Sequence, residues 1–199
     1  MDDHATARSG YHHGNLKEAL LESARKILEE SGHSALSLRQ CAKAVGVSAT
    51  APQNHFGNKS GLLTALATQG YAELVARMRS SLPPDASRAE RRSAALQGYV
   101  AFALENPALY ELMFARDRVL ADDPALLEQV GACFAVLADT SQELGLFPSG
   151  DPNLEAREQV FVWSLVHGYA QLATAGRFKK EAMKGMDILS IFPEGNQTG

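Results

Sequence analysis

The spacing of Ala42 and Gly46 is the feature that most constrains how this chain can fold. A small side chain at Ala42 lets two helices approach closely, and a glycine four residues later permits the left-handed backbone of a tight turn. Val47 is then expected to pack between the two helices, and Ser48 to begin the second one. The pattern is typical of a helix-turn-helix over about residues 37–56, although any pair of adjacent helices can use alanine and glycine in this way.

Apolar residues recur at helical spacing along the chain, and no run of alternating strand residues is convincing, so an all-α fold is predicted. Asn15, with Glu18 three residues later, forms a capping box that opens the first helix, and Gly32 supplies its end. Ser37 and Gln40 repeat the capping box and open a short second helix.

Ser48 is predicted to cap a very short third helix that finishes near His55, and Asn58 to cap a long fourth helix. Residues 1–58 are therefore predicted to form a helix-turn-helix domain with an N-terminal arm, and residues 59–199 a second helical domain. Within the second domain, further helices are predicted at about 86–104, 107–118, 123–143, 154–175 and 178–190.

Charge is distributed unevenly along the chain. The whole sequence has a net charge of −4, which by itself argues against a nucleic-acid partner. Residues 8–70, however, hold seven basic and four acidic side chains, and residues 71–199 hold twelve basic and seventeen acidic ones. A mildly basic head on an acidic body favours phosphate contact at one end of the molecule.

Several classes of protein are not expected. The acidic N-terminus lacks a signal-peptide pattern and no apolar run approaches the roughly 20 residues of a membrane span, so a cytoplasmic protein is predicted. Cys41 and Cys133 are expected to be small buried side chains in a reducing compartment. His4, His12 and His13 have no spacing that indicates a metal site. No metal, cofactor or catalytic residue is predicted, since His167 is the only histidine of the body and no nucleophile motif or phosphate loop accompanies it.

A family resemblance is carried by five stretches: Tyr11–Leu16, Ala35–Gln40, Ser48–Phe56, Asn58–Lys59 and Leu62–Leu63. They resemble the TetR (AcrR-like) family of one-component regulators almost without gaps over residues 11–66. The resemblance implies a DNA-binding head of three helices, of which the third lies in the major groove. In the body, residues 106–114 and Trp163, His167 and Gly168 resemble a subgroup with a Trp-His-Gly signature.

The residues predicted to contact DNA are Ser37, Arg39, Ser48, Ala49, Thr50, Gln53, Asn54, His55 and Lys59. Capping serines at helix N-termini favour a phosphate oxygen, and an arginine in the first turn of the second helix can reach a phosphate or a guanine edge. Glutamine and asparagine on the third helix can bond an adenine edge, and the threonine methyl can meet a thymine methyl. The resemblance implies that His55 and Lys59 hold phosphate.

Other interpretations of these residues stay open. The two serines could act only as caps, His55 could pack under Phe56, and Arg39 could be simply solvated. Gln53 stands where the family usually has a tyrosine whose hydroxyl often contacts a phosphate. With glutamine at this position, the contact with the DNA phosphate has either become a contact with a base or been lost.

The helix at 154–175 is apolar nearly all round, and the one at 178–190 is similar, so a partner subunit is expected to bury them. The resemblance implies a homodimer through these two helices. A small-molecule effector pocket is predicted to be lined by Phe102, Tyr110, Met113, Phe114, Phe134, Trp163 and His167. The alternative is that Trp163 belongs to the core and His167 is a hydrogen-bonded buried histidine.

The function predicted from the sequence is a homodimeric repressor that binds a palindromic DNA operator and is released by a small molecule. The alternative is a small helical ligand-binding protein or enzyme with a non-functional head. Replacing Thr50, Gln53 and Asn54 would separate the two, because only a regulator would lose sequence preference.

Overall fold

The computed structural model describes residues 16–80, 82–83, 85–178 and 187–192. Over these residues it contains eight α-helices and no strand, which confirms the predicted all-α class. The helices are α1 Leu16–Ala35, α2 Leu38–Val45, α3 Ala51–Phe56, α4 Lys59–Arg79, α5 Arg88–Glu105, α6 Pro107–Phe114, α7 Pro124–Thr140 and α8 Leu154–Thr174.

The first three helices form a small head, and two of the predicted caps are confirmed: Ser37 caps α2 and Asn58 caps α4. Ser37 Oγ accepts the backbone N–H of Gln40 at 3.2 Å, and Asn58 Oδ1 accepts that of Gly61 at 3.0 Å. Gly32 has a φ of 75° and breaks the regular backbone of α1 three residues before its end. The predicted Asn15 cap lies outside the described residues.

Helix α4 is the central element, since it leaves the head and packs against α5, α6 and α7, while α8 lies on α5. Fully buried leucines such as Leu62, Leu66, Leu74 and Leu96 join these helices, and each contributes roughly 1.5–3 kcal/mol of burial free energy. One continuous core of buried side chains runs from α1 to α8. The core therefore continues across residues 58 and 59, where the boundary between the two domains is predicted. That boundary stays a prediction.

Two glycines mark the closest approaches of the helices around α4. A Cβ atom at Gly70 of α4 would lie 2.8 Å from Met113 Sδ and 3.0 Å from Leu109 Cδ2 of α6. A Cβ atom at Gly98 of α5 would lie 2.6 Å from the carbonyl oxygen of Arg77 on α4. Glycine is required at both positions because backbone and neighbour are nearly in contact.

Three predicted helix ends differ from the structure. Helix α6 ends at Phe114 rather than near residue 118, because the polar run of residues 116–118 offers no apolar face to bury. Helix α7 ends at Thr140 rather than 143, where the Ser141 hydroxyl donates back to the Ala138 carbonyl. For the helix predicted at 178–190, residues 179–186 lie outside the described residues, and residues 188–191 form a turn. No helix in the described ranges is long and apolar enough to cross a membrane.

Candidate functional site

The turn between α2 and α3 has the predicted geometry. Gly46 adopts the left-handed conformation with φ 77° and ψ 30°, and its N–H donates to the Lys43 carbonyl at 3.3 Å. The N–H of Val47 donates to the Ala42 carbonyl at 3.0 Å. These two bonds form a Schellman motif, which satisfies the last carbonyls of α2 and turns the chain sharply. Val47 is half-buried and packs against the core, as expected.

Helix α3 is a short element with one buried and one exposed face. Pro52 in its first turn and Phe56 at its end are buried, so they attach the helix to the head. Gln53 and Asn54 are exposed between them. Proline is tolerated at this position because the N–H groups of the first helical turn have no partner within the helix. The structure thus brings the predicted base-reading amides to the surface of a rigidly held helix.

The predicted capping role of Ser48 is wrong. The N-cap of α3 is Thr50, with helical φ and ψ of −89° and −19°, and it makes no side-chain capping bond. The hydroxyl groups of Ser48 and Thr50 instead lie 3.2 Å apart. Because Pro52 has no N–H that could donate to the Ser48 carbonyl four residues earlier, the helix cannot begin directly after Ser48. That carbonyl instead accepts the N–H of Ala51 at 3.0 Å, and residues 48–50 form a turn that precedes the helix. Ser48, Ala49 and Thr50 are nevertheless all exposed beside α3.

The predicted phosphate contacts are distributed around this surface. Arg39 is exposed on α2, and no ion pair or side-chain hydrogen bond is found for it among the described residues. His55 is exposed, with its ring centroid 6.2 Å from that of Phe56, so it does not pack beneath that ring. Lys59 Nζ donates to the carbonyl of His33 at 2.8 Å, which ties the start of α4 to the end of α1. Phosphate contact by any of these residues stays a prediction.

The head is fastened to the body by two side chains of α1. Arg25 forms a bidentate pair with Glu73 of α4, and its Nη2 also donates to Asn106 Oδ1 at 2.7 Å. Glu29 accepts the N–H groups of Ala108 and Leu109 at 3.2 and 3.0 Å. A carboxylate at a helix N-terminus accepts hydrogen bonds from the free backbone N–H groups, and its negative charge interacts favourably with the positive end of the helix dipole. Glu29 therefore caps α6. The side chain of Asn106, which stands at the N-cap position of this helix, makes no capping bond.

The body contains a cavity of about 250 Å³ between α4, α5, α6, α7 and α8. Four of the predicted lining residues, Met113, Phe114, Phe134 and Trp163, do line it. The other lining residues are Tyr71, Tyr99, Arg116, Val119, Ala121, Leu126, Leu127, Val130, Cys133 and Leu137. Phe102, Tyr110 and His167 do not line this cavity, because Phe102 is buried in the core and the other two lie behind the cavity wall. That any of these residues contacts an effector stays a prediction.

Tyr110 and His167 belong to a hydrogen-bonded cluster with Tyr99. His167 Nδ1 lies 2.8 Å from the Tyr110 hydroxyl and 3.1 Å from that of Tyr99, and Tyr110 donates to Tyr99 at 3.3 Å. Burial lowers the pKa of His167, so its neutral imidazole is favoured. Burial also raises the pKa of Tyr110 to about 12, which keeps the phenol protonated. The cluster agrees with the alternative in that His167 is hydrogen-bonded, although this ring is half-buried rather than buried and Trp163 is 37% exposed.

One face of α8 is apolar and is left exposed by the residues that the structure describes. Val160 and Leu172 are 61% and 47% exposed, and Ser164 is exposed between them. No atom lies within 4 Å of a Cβ built on Gly168, so this side of the helix is open. The inward face, by contrast, is buried at Val162 and Val166. The sequence had indicated burial on all faces, which the single chain does not provide.

Sequence reasoning missed Glu29, Arg25 and Arg116. Glu29 and Arg25 lie four residues apart on α1. Their partners on α6 and α4 are far away in the sequence, so no local pattern indicates them. Arg116 follows α6 in a polar run, and only the packing of α7 brings it to the cavity. Arg25 lies at the edge of the apolar face of α1, one turn after Leu21, and this position is only a weak signal for a partner.

A three-helix head with a helix-turn-helix, mounted on a helical bundle with an internal cavity, defines a DNA-binding regulator of transcription. Residues 20–66 match the family model "Bacterial regulatory proteins, tetR family", and residues 92–188 match "Tetracyclin repressor-like, C-terminal domain". The chain therefore belongs to the TetR family of transcriptional regulators. Its assignment to a Trp-His-Gly subgroup stays a prediction.

Two solved structures and one curated protein are similar to this chain. A protein of unknown function from Rhodococcus sp. RHA1 is 30% identical, with a TM-score of 0.72 over 90% of this chain and 91% of that one. FadR of Bacillus subtilis, solved with stearoyl-CoA, shares the fold at 14% identity and a TM-score of 0.67, over 89% and 98% of the two chains. Nucleoid occlusion factor SlmA of Vibrio vulnificus is 29% identical over 129 residues, which span 61% of this chain and 66% of that protein's length.

Proposed function

We propose that this chain is a homodimeric repressor that binds a palindromic operator and is released by a small molecule in the body cavity. The observation that carries the proposal is the outward face of α3, where Gln53 and Asn54 are exposed while Pro52 and Phe56 are buried. A short helix held in this way can enter the major groove without losing its orientation. The mildly basic head supports the same assignment.

The base-reading residues are Thr50, Gln53 and Asn54. Each amide can form two hydrogen bonds with an adenine edge, and the threonine methyl can contact a thymine methyl. Gln53 stands where tyrosine is usual in the family, and its exposed amide beside Asn54 favours a base contact over a phosphate contact. Arg39 and His55 are exposed on either side of this pair and can hold the DNA backbone.

The dimer interface includes the exposed face of α8. Val160 and Leu172 supply apolar area, and Ser164 and Gly168 are small enough to let a second helix approach closely. Covering this face would remove the apolar surface that the single chain exposes. A two-fold axis through it would present two α3 helices to successive turns of DNA, roughly 34–36 Å apart.

Helix α6 is one of the elements that connect the cavity with the head. Its end, at Met113 and Phe114, lines the cavity, and its beginning is capped by Glu29 of α1. A ligand that displaces the end of α6 would therefore strain the contact with the head. A differential affinity of about 5.5 kcal/mol between two states is enough to move a population from 1:99 to 99:1.

The test of DNA binding is a titration of the full chain with DNA from its own genomic neighbourhood at several salt concentrations. We expect a site with two-fold symmetry and an affinity that falls steeply as salt rises. Replacing Thr50, Gln53 or Asn54 by alanine should weaken specific binding by roughly 1–3 kcal/mol per base contact and leave non-specific binding unchanged.

Asn153→Ala is a matched control, because it removes an exposed amide that makes no side-chain capping bond at the start of α8. This variant should bind the operator like the unmodified chain. Failure to find any symmetric, salt-dependent site would overturn the proposal. It would favour instead a ligand-binding protein or enzyme that uses only the body.

A further inference from the structure

The cavity of the body contains a single charged residue. Its wall is built from aromatic and aliphatic side chains, among them Tyr71, Phe114, Phe134 and Trp163. Arg116 is the one lining residue with a formal charge. An apolar cavity with one charged group selects a ligand that has an apolar body and one group of opposite charge.

Arg116 is free to receive such a group. It is exposed, and no ion pair or side-chain hydrogen bond involving it is found in the part of the chain that the structure describes. Arg118, two residues later, is by contrast paired with Glu111 at 3.2 Å and with His33 Nδ1 at 3.2 Å. The guanidinium of Arg116 thus has no competing carboxylate and can bind an oxyanion with two parallel bonds.

The inner wall of the cavity offers no second charge. The Tyr71 hydroxyl already donates to the Met113 carbonyl at 3.0 Å, and the Tyr99 hydroxyl is engaged with Tyr110 and His167. Burial raises the pKa of Cys133 to about 12, so its thiol remains neutral. A charged group on the buried end of a ligand would lack a partner, whereas an apolar end would be accommodated.

We infer that the cavity binds a small amphipathic carboxylate, with its apolar body inside and its carboxylate on Arg116. The inference rests on the proposed function only in treating this ligand as the effector. The volume of about 250 Å³ lies below the roughly 300–1,000 Å³ of sites for drug-sized ligands, so the ligand is compact. Aromatic side chains around the cavity suit a single ring, which they can meet edge to face.

Trp163 gives a direct measurement, since it is the only tryptophan of the chain and lines the cavity. The full chain, without DNA, is titrated with 3-phenylpropanoate, its neutral amide and the corresponding amine while the fluorescence is recorded. We expect the carboxylate to bind at least tenfold more tightly than the amide and the amine to bind weakest. Equal affinities for the three probes, or no binding of any of them, would overturn the inference.

The variant Arg116→Gln tests the role of the charge, because it removes the positive charge and leaves the apolar wall of the cavity intact. Because Arg116 is exposed and unpaired, this variant should fold normally, bind the amide unchanged and lose the tenfold preference for the carboxylate. Arg79→Gln is the matched control, since this exposed arginine at the end of α4 does not line the cavity, and it should keep the preference. A preference that survives in Arg116→Gln would also overturn the inference.

The same probes distinguish this inference from the proposed function. If 3-phenylpropanoate binds through Arg116 but does not release operator DNA, the site assignment stands and the role of its ligand as effector fails. If DNA is bound specifically but the three probes bind equally, the repressor stands and the carboxylate site fails.

Discussion

Arg25 of α1 and Glu73 of α4 form a two-bonded ion pair, with Nη1–Oε1 and Nη2–Oε2 distances of 3.2 and 3.1 Å. The Arg25 side chain is 20% exposed, so water screens this pair less than a fully solvated one. Its third bond, to Asn106, reaches the junction of α5 and α6. One arginine thus joins the head to two separate elements of the body.

The contribution of the Glu29 contact with α6 to stability can be tested by replacing Glu29, with the adjacent Glu30 as the control. Glu29→Ala should lower the free energy of unfolding by about 1–2 kcal/mol, because it leaves the N–H groups of Ala108 and Leu109 without a partner. Glu30→Ala should be nearly neutral, since Glu30 is exposed and paired only with Lys26 at the surface. Urea denaturation of the two variants makes the comparison. Equal losses would mean that the cap of α6 does not stabilise the protein.

Replacing Lys59 should change both the stability of the protein and its affinity for DNA, and the two effects can be measured separately. Lys59→Met removes the bond to the His33 carbonyl and should cost about 1 kcal/mol of stability, measured by denaturation without DNA. If Lys59 also holds a phosphate, the slope of log affinity against log salt should become shallower by about 1. Lys26→Met, on the exposed face of α1, serves as the control for the loss of one positive charge. A stability loss with an unchanged salt slope would exclude the phosphate contact.

Gly168→Leu tests the dimer interface on α8. Nothing lies within 4 Å of the position of its Cβ, so the larger side chain should not disturb the fold of one subunit. It should prevent close helix packing across the two-fold axis and shift the protein towards monomer, as measured by sedimentation equilibrium. Gly131→Leu on α7 offers a control glycine that is equally open. A Gly168→Leu protein that remains as dimeric as this control would remove α8 from the interface.

The half-buried His167 predicts a pH dependence of stability. Burial lowers the pKa of His167 below its ordinary value of 6.5, so the unfolded chain binds this proton more readily than the folded one. The stability that the neutral ring contributes is present above pH 6.5 and is lost as pH falls through the lowered pKa. His167→Asn keeps an acceptor near Tyr99 and Tyr110 but does not titrate. The difference in unfolding free energy between the two proteins should therefore fall with decreasing pH in this window, and a constant difference would contradict the assignment.

Features that depend on a few adjacent residues could be predicted from the sequence. The Schellman turn at Gly46 and the caps at Ser37 and Asn58 are local, because each bond joins residues three to five apart. The cap of α3 was placed wrongly at Ser48, since the effect of Pro52 on the start of the helix competes with the preference of serine for capping. The exposure of Gln53 and Asn54 followed from the pattern despite that error.

The cavity of the body could be predicted only in part. Met113 and Trp163 were expected in its wall from apolar spacing, but apolar spacing does not distinguish a cavity wall from a core position such as Phe102. Arg116 was missed because its position depends on how the segment after α6 meets α7. Its nearest sequence neighbours give no information about that packing.

The glycines beside α4 have a mechanical consequence. At Gly70, the α4 backbone meets the Met113 side chain with no side chain of its own in between, and at Gly98 the α5 backbone meets the Arg77 carbonyl in the same way. The junction at Gly98 has little compliance, because both partners are backbone and no side-chain rotamer can absorb a displacement. A displacement of α5 at this point would therefore be passed directly to the backbone of α4, whose other end adjoins the head.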